Sequence, residues 1–424
     1  MRAVVVSLGD LGRSARMLYH ARALAANGVD VDLVGFEGTP LPKAVTDERR
    51  ITIRRIDPAT LRRGHFFGAS YAVAGLLDAA RLSLRLWRTL RKLKQPDLVL
   101  IQNPPAFPTL PVALFSLRRR GVRFVIDWHN LGYTLLRLRL GRWHPVVRLA
   151  RWLERRDARR VDANLTVSRS LAGFLDRRFG VSQASVLYDR PASAFVPMER
   201  MAREQLRQAL FTRLGVHGTN VAFIVCPTSW TEDEDFDLII DAVPRLEERI
   251  RGWEAASPQR RFPDIVILVT GDGARRAEFE RRFAGLPARR IQLRARWLEP
   301  EDYPKVVGSA DLGLCLHRSS SGLDIPMKVA DLFGAGVPVC ALDYGIGLGE
   351  RVRHGDNGLL FSTAVQLADV LFDLFETFPH DQQLLDRLRS GARKSARPTW
   401  EEGWAREAKP LLLGQASDGR SVPS

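Results

Sequence analysis

The chain has 424 residues, 45% of them hydrophobic, and a formal net charge of +16 carried chiefly by arginine. That length and composition predict two globular domains, each with a sizeable core, and argue against a disordered chain. No run of 18 apolar residues occurs, which excludes a membrane-spanning helix, and the three cysteines (Cys226, Cys315 and Cys340) lie in apolar runs without metal spacing, as buried thiols of a reducing compartment do.

Residues 3–8 form a short apolar run expected to be a buried strand. Gly9-Asp10-Leu11-Gly12 then turns into a helix over residues 14–27, where Met17, Leu18, Ala21, Leu24 and Ala25 recur with a 3.6 period and Gly28 ends it. A strand over 31–36 completes a Rossmann-like βαβ opening, without the GxGxxG fingerprint. Gly9, Gly12 and Arg13 are placed to approach a phosphate or a sugar; a plain tight turn explains the glycines equally well.

Strands over 98–102 and 124–127 follow, the first ending in Asn103-Pro104-Pro105 and the second in Asp127-Trp128-His129-Asn130. Ligands of open α/β sheets bind outside the carboxyl ends of the strands, so Asp127 and His129 are candidates for acid–base chemistry. The alternative is that Asp127 caps the turn and His129 packs. Two basic, apolar stretches, 81–94 with Trp87 and 136–160 with Trp143 and Trp152, have the pattern of cationic amphipathic helices at an anionic bilayer. Helices with solvated backs and tryptophans in the core are the alternative. No groove-reading or aromatic-interleaved motif suggests nucleic acid.

Strands at 163–167 and 185–188 precede a boundary over 191–218, which holds Pro191, Pro197 and a polar helix over 199–214. A second βα series then begins, with strands over 221–226, 265–270, 291–293, 312–316, 337–342 and 359–361 and the turn Gly271-Asp272-Gly273. After Cys226, Thr231 and Glu234 have capping-box spacing. Ser229 and Trp230, at a strand's carboxyl end, are left free to meet a nucleotide or sugar.

Residues 317–340 carry the densest signal. A strand runs into Ser319-Ser320-Ser321-Gly322 and then a helix with Pro326 at its first position and Gly334 and Gly336 at its end. Asp324, Lys328 and Asp331 are spaced to share one helical face. Lys328 opposes the helix dipole by about 0.3–1 kcal/mol at an exposed site, and a bound anion reverses that sign. The pattern predicts a nucleotide diphosphate site, with Asp331 on the ribose; the alternative is a surface Asp324–Lys328 pair.

The motifs GDLGRSARMLYHA (9–21), QNPPAFP (102–108), DWHNLGY (127–133), YDRPAS (188–193), TSWTEDEDF (228–236), WLEPEDYP (297–304) and LHRSSSGLDIPMKVADLFG (316–334) occur in an order and spacing that resemble the chitobiosyldiphosphodolichol β-mannosyltransferases, glycosyltransferase family 33. The resemblance runs over nearly the whole chain. It implies an α/β GT-B fold: two Rossmann-like doubly wound domains facing a central cleft, over 1–195 and 196–385, a helix over 386–413 crossing back, and a loose tail over 414–424. It implies an inverting transfer of mannose from GDP-mannose to a polyprenyl-pyrophosphate-linked N-acetylglucosamine oligosaccharide in β-1,4 linkage. No metal or other cofactor is required.

On that reading the donor meets Ser229, Trp230, Gly271, Ser320, Ser321, Gly322, Asp324, Lys328 and Asp331, and the acceptor meets Gly9, Gly12, Arg13, Asn103 and Asn130. Lys328 and the amides of 320–322 stabilise the leaving group. The base is Asp127 or His129, with Glu234 as an outsider. Eukaryotic members begin with a membrane-spanning segment, whereas this sequence opens on its first strand. Anchoring therefore falls to the amphipathic helices, at an anionic, cytoplasmic membrane face. Relatives with paired glutamates eight residues apart have no full counterpart here, since Leu323 stands in the first place and Asp331 in the second. A different nucleotide sugar or lipid acceptor, and a non-catalytic membrane-peripheral partner, are the competing readings.

Overall fold

The computed structural model describes residues 1–57, 69–119, 121–230, 233–273 and 275–414. Strand and helix alternate through both halves of the chain, and each half forms its own wholly parallel sheet. The first sheet has β1 (Arg2–Asp10), β2 (Asp30–Phe36), β3 (Ile51–Ile56), β4 (Leu98–Asn103), β5 (Arg123–Trp128), β6 (Ala163–Thr166) and β7 (Ser185–Val186), in the order β3-β2-β1-β4-β5-β6-β7. The second has β8 (Val221–Pro227), β9 (Asp264–Thr270), β10 (Ile291–Arg296), β11 (Leu312–Cys315), β12 (Val339–Leu342) and β13 (Gly358–Phe361), in the order β10-β9-β8-β11-β12-β13. Central strands read as unbroken apolar runs because both sheet faces are covered. Val4, Val5 and Val6 of β1 and Leu98, Val99, Leu100 and Ile101 of β4 are fully buried.

The order of connection reverses between β1 and β4 in the first sheet and between β8 and β11 in the second. Those reversals open the crevices where doubly wound sheets take their ligands. The glycine turn and Asn103 stand at one; Thr228, Ser229 and the Ser319–Ser321 turn stand at the other.

The chain divides into a unit of Met1–Tyr188 with the segment from Glu401 on, and a second unit of Asp189–Trp400. The division falls before the proline segment because that segment packs on the second unit: a Cβ on Gly334 would lie 2.3 Å from Pro191 Cβ and 2.9 Å from Phe195 Cβ. The helix Gln383–Ser395 also stays in the second unit, and the chain rejoins the first with Trp404, Ala408 and Leu412 buried. The tail beyond residue 414 lies outside the described residues.

Three local expectations change. Patterning passes over β3, an edge strand in which Arg54 and Arg55 interrupt the isoleucines and only Ile51 and Ile56 are buried. Pro326 is the N-cap of the helix Met327–Gly334 instead of its first residue, so Asp324 precedes the helix and does not share a helical face with Lys328 and Asp331. Thr231 lies outside the described residues, and the helix after β8 begins only at Asp237 with no side-chain cap. Glu234 therefore does not serve a capping box.

The glycine turn after β1 is closed by Asp10, whose carboxylate accepts from the backbone N–H of Gly12 at 3.0 Å and from the Thr39 hydroxyl at 2.7 Å. A Cβ on Gly12 would stand 2.3 Å from the Thr39 carbonyl oxygen, whereas one on Gly9 would meet open space. Packing against Thr39 is thus enough to account for a glycine at position 12. Gly12→Ala should lower unfolding free energy by ~1–3 kcal/mol, the range for overpacking a fixed neighbour. Gly9→Ala should stay within about 0.5 kcal/mol of the parent. Denaturant melts of the two variants check the contrast, and equal melts would contradict it.

Candidate active site

In the second unit, β8 and β11 deliver their loops side by side. Lys328, in the first turn of the Met327–Gly334 helix, forms an ion pair with Glu234, which also accepts from the Thr228 hydroxyl and, at 3.1 Å, from the Ser229 N–H. Burial works against the ammonium, but the Glu234 charge outweighs it and raises the Lys328 pKa, so the lysine stays charged. Beside this pair His317 lies 3.1 Å from Asp233 through Nδ1 and 3.1 Å from Asp324 through Nε2. Burial opposes its charge, yet the hydrogen bonds to Asp233 and Asp324 push it up to about 9, which makes His317 a cation at neutral pH. Arg275 Nη1 donates to the Glu234 carbonyl at 3.1 Å, and Arg318 pairs with Asp235 at 2.6 Å.

The serine turn closes on itself. Ser319 Oγ donates to Asp324 and accepts from the Gly322 N–H at 2.8 Å, while Ser321 Oγ accepts from the Leu323 N–H at 3.2 Å. The amide of Gly322 is therefore engaged, and it reaches a ligand only when the Ser319 hydroxyl turns away. Ser320 is buried, and Gly322 adopts φ +74°, open only to glycine at low energy. Gly271, at φ +91°, lets the Thr228 carbonyl approach to where a Cβ would stand. Trp230 corrects an expectation. Its ring is buried and stacks on Phe236 with centroids 4.6 Å apart, so its face belongs to the core and is not offered to a nucleotide. Asp331 is pushed up to about 8 by burial and by Asp189, which leaves it protonated at neutral pH.

In the first unit, Asp127 closes β5 as a wholly buried carboxylate. Arg16 grips it through Nε at 2.7 Å and Nη2 at 2.9 Å, and His129 Nε2 stands 3.0 Å from Oδ2. Burial would raise this acid. The Arg16 and His129 charges and the N–H groups of His129 and His20 instead hold it well below the usual carboxylate range. With no surface exposed, Asp127 cannot reach a sugar hydroxyl, which removes it from the candidates for base. His129, with 23% of its side chain exposed, can. Glu234 is buried and committed to Lys328, Thr228 and Ser229, so it leaves the list as well.

Asn103 and Asn130 are buried too. Asn103 Nδ2 donates to the Asn130 carbonyl at 3.1 Å and to Glu154 Oε1 at 3.3 Å, while Asn130 Oδ1 accepts from the Leu131 N–H. They shape the loop after β4 and offer no free face to an acceptor. Arg13 is half exposed and rests 3.3 Å from Thr39. Arg16, His20, Glu154 and His317 were missed as site residues. Their signals are slight: an arginine and a histidine on the same face of a helix, a glutamate inside an arginine-rich stretch, and a histidine at a strand's end.

The helices Gly132–Leu140 and Pro145–Ala158 pack together with their apolar residues facing both ways. Val147, Ala150, Glu154 and Asp157 point inward. Leu138 (64% exposed), Trp143 (75%), Leu149 (55%) and Trp152 (55%) point outward, with Arg142 over Trp143 and Arg156 over Trp152. The tryptophans are not core residues. No described helix is long and apolar enough to cross a membrane.

Two parallel doubly wound sheets with charged side chains gathered at the carboxyl ends of their strands define a GT-B glycosyltransferase architecture. Solved structures agree: Anabaena HepE in complex with UDP-glucose matches with TM-score 0.67 at 18% identity, over 97% of this chain and 98% of that one. WaaG, a glycosyltransferase of lipopolysaccharide biosynthesis, matches with TM-score 0.65 at 15% identity, over 98% and 100%. Residues 12–188 match the model of Glycosyltransferase Family 4, and residues 221–377 that of Glycosyl transferases group 1. Among individual relatives, the UDP-glycosyltransferase TURAN of Arabidopsis thaliana is 37% identical over 97% of both chains. The chitobiosyldiphosphodolichol beta-mannosyltransferase of Mus musculus is 35% identical over 99% of this chain and 91% of its own. The chain belongs to the nucleotide-sugar glycosyltransferases of the family 4 and group 1 type.

Glu154 makes the first unit's stability depend on pH. Burial pushes its carboxyl to about 7, against 4.5 for an ordinary glutamate, although Asn103 and the Gly132 and Tyr133 amides donate to it. Its Oε2 and Asn103 Oδ1 are buried without a donor among the described residues, so a retained proton fills a gap. Between pH 4.5 and 7 the unfolded chain loses this proton while the folded chain keeps it, so stability falls as pH rises through that window. Glu154→Gln should flatten the slope and stabilise the protein by ~1–3 kcal/mol at pH 8. Denaturant titrations at pH 5 and pH 8 measure the difference; a parallel loss in both proteins would contradict it.

Proposed function

We propose that this chain is an inverting mannosyltransferase that moves mannose from GDP-mannose to the N-acetylglucosamine oligosaccharide of a polyprenyl-pyrophosphate acceptor, forming a β-1,4 linkage. The partly exposed Lys328 ammonium in the first turn of a helix, paired with Glu234 beside the serine turn of a group 1 domain, carries the proposal. The similarity to chitobiosyldiphosphodolichol beta-mannosyltransferases supports the choice of sugar and acceptor. In the reaction an acceptor hydroxyl attacks the anomeric carbon and the bond from that carbon to the diphosphate oxygen breaks. Its electron pair leaves with GDP, where Lys328 meets the new charge. The hydroxyl proton passes to His129, on the ring nitrogen that Asp127 does not engage. Asp331, protonated, hydrogen-bonds the ribose, and Ser229, Ser320, Ser321, Gly322 and Gly271 line the approach of the donor. Asp324 holds His317 and the serine turn.

A second reading has its own support. The relative TURAN is described as a UDP-glycosyltransferase, so a UDP-sugar donor competes with GDP-mannose. Transfer of radiolabel from GDP-mannose to chitobiose-pyrophosphate-phytanyl, with UDP-glucose and UDP-N-acetylglucosamine as alternatives, decides between them. Label transferred only from a UDP-sugar would overturn the choice of mannose, and absence of any transfer would favour a non-catalytic partner.

Lys328→Ala should lower turnover by ~10²-fold, as loss of one oxyanion-type donor does. Because Lys328→Ala leaves the buried Glu234 carboxylate without its counter-charge, the Lys328→Ala, Glu234→Gln double variant separates lost chemistry from lost stability, and a wild-type rate in either variant would remove Lys328 from the mechanism. His129→Ala should be slow at every pH.

An acceptor carried on lipid implies work at a membrane face, here the anionic cytoplasmic one. The outward Leu138, Trp143, Leu149 and Trp152, set among Arg139, Arg142, Arg148, Arg151 and Arg155, suit such a surface. A Trp143→Ala, Trp152→Ala variant should bind phosphatidylglycerol vesicles at least ~10-fold more weakly, since partial burial of two indoles is worth upwards of ~1.4 kcal/mol. Transfer to a water-soluble acceptor analogue should be unchanged. Undiminished vesicle binding would exclude this surface.

A further inference from the structure

The Asp127 cluster contains two buried groups for which the transfer reaction has no direct use, His20 and Trp404. His20 lies on the helix Ala15–Ala26, one turn beyond Arg16, and is wholly buried. The indole Nε1–H of Trp404 donates to His20 Nδ1 at 3.0 Å, across 384 positions of sequence. An indole nitrogen only donates, so Nδ1 of His20 must be the unprotonated nitrogen and Nε2 must carry its hydrogen. That Nε2 stands 3.2 Å from Asp127 Oδ2, close enough for electrostatic contact but off the line of a hydrogen bond; the same oxygen receives Arg16 Nε–H at 2.7 Å and faces His129 Nε2 at 3.0 Å. Asp127 is ionised and only accepts, so His129 must present an N–H at Nε2, and Nδ1 is the nitrogen at which the ring exchanges a proton with anything else.

We propose that His20 and Trp404 are positioning residues for His129: the Trp404 indole fixes His20 in the neutral tautomer whose Nε2–H edge faces Asp127, and the carboxylate so flanked holds the His129 proton on Nε2 and leaves Nδ1 to take up the substrate proton. The proposal rests on the reading of His129 as the proton acceptor. The titratable and charged groups facing His20 are Asp127, Arg16 and His129. Burial lowers the His20 pKa despite the neighbouring Asp127, so the ring is neutral in the working range. A neutral His20 leaves the Asp127 charge divided between Arg16 and the His129 N–H. A protonated His20 would compete for that charge and weaken the hold on His129. The residue that prevents this lies near the chain's end, so the segment that rejoins the first unit helps to prepare the base. In this reading it is more than a strap.

The full-length protein, labelled with 15N in its histidine rings, tests the hydrogen-bond chain directly. The His20 signals, identified by their loss in His20→Gln, should show a pyridine-type Nδ1 and a pyrrole-type Nε2. Trp404→Phe keeps an aromatic ring but removes the donor and frees His20 Nδ1 to take a proton. The acid limb of its pH–kcat profile should move upward by about 0.5–1 pH unit, the equivalent of one hydrogen bond. KM for the nucleotide sugar should not change. His20→Ala should lower kcat by about 10-fold, part of the 10²–10⁴ a general base supplies. His20→Gln should recover the rate, because its amide N–H can donate to Asp127 while its carbonyl accepts from Trp404; a defect of folding alone would not be rescued in this way.

A protonated Nδ1 on His20, or a Trp404→Phe profile superimposable on the wild type, overturns the proposal. If His129→Ala keeps its full rate while the ring pattern is as expected, the assignment of the base has failed and the positioning role falls with it. If His129→Ala is inactive but the ring pattern is not as expected, the positioning role alone falls.

Discussion

A lysine ammonium at the positive end of a helix, with only 21% of its side chain exposed, is the constraint around which the polar cluster of the second unit is built. Taking such a charge out of water costs several kcal/mol, and the helix dipole adds repulsion. Glu234 offsets both from a loop 94 positions away in sequence. The carboxylate is not left dependent on the lysine, since the Thr228 hydroxyl and the Ser229 amide also donate to it. Were Lys328 to turn toward a diphosphate, Glu234 would keep two hydrogen bonds and so would not be stranded. The pair is therefore suited to exchange: Lys328 is neutralised internally here, and the support under Glu234 lets the lysine turn to another negative charge at little cost. A lone buried lysine would be too costly to keep, and a lysine with an unsupported partner too costly to release.

The first unit solves a related problem with the opposite sign. Asp127 stands at the carboxyl end of β5 with no exposed surface, and the two-point grip of Arg16 keeps it ionised. A bidentate guanidinium fixes the carboxylate plane as well as its charge. That fixed plane presents Oδ2 to both histidines. Here the buried ion pair is permanent and its use is geometric: it gives a partly exposed imidazole one orientation. In both units the charged groups cluster at the carboxyl ends of the strands: at the β8/β11 reversal in the second sheet, and at the end of β5, one strand from the β1/β4 reversal, in the first.

The architecture was legible because its signal is local and repeated. Apolar runs of four to seven residues, alternating with helical periodicity, recur along both halves of the chain, and β3 alone escaped because an edge strand needs only part of the apolar pattern. Lys328 was legible for the same reason, as a cation that contradicts its own helix. Its partner was not. Nothing near Glu234 distinguishes a residue aimed at a distant lysine from one that caps the next helix, and capping-box spacing gave the wrong answer. Trp230 illustrates the converse error. At a strand's carboxyl end an aromatic residue looks like a docking platform, but the Trp230 ring is buried against Phe236. Asp127 and His129 were found as a pair by position alone; which of them is exposed depends on Arg16, 111 positions earlier. Sequence spacing locates candidate chemistry well and assigns partners poorly, since burial decides which groups remain available.

The distribution of charge divides the work of recognition. Inside both sites the books nearly balance: Lys328 with Glu234, His317 with Asp233 and Asp324, Arg16 with Asp127, and the two acids left over, Asp331 and Glu154, are pushed toward neutrality by burial. The surplus behind the net charge of +16 therefore lies outside them, much of it on exposed arginines such as those of the Pro145–Ala158 helix. An exposed surplus is screened within about 10 Å at 0.1 M salt and discriminates poorly among anions, but it raises the local concentration of anything negatively charged. A balanced interior does the reverse: it attracts weakly at long range, and it responds strongly when an anion displaces one internal partner. The exposed surplus can thus gather anions at the surface, while exchange at the Lys328–Glu234 pair can select among them. The two functions can vary independently, because no residue named in the buried networks around Lys328 or Asp127 is one of the exposed arginines of that helix.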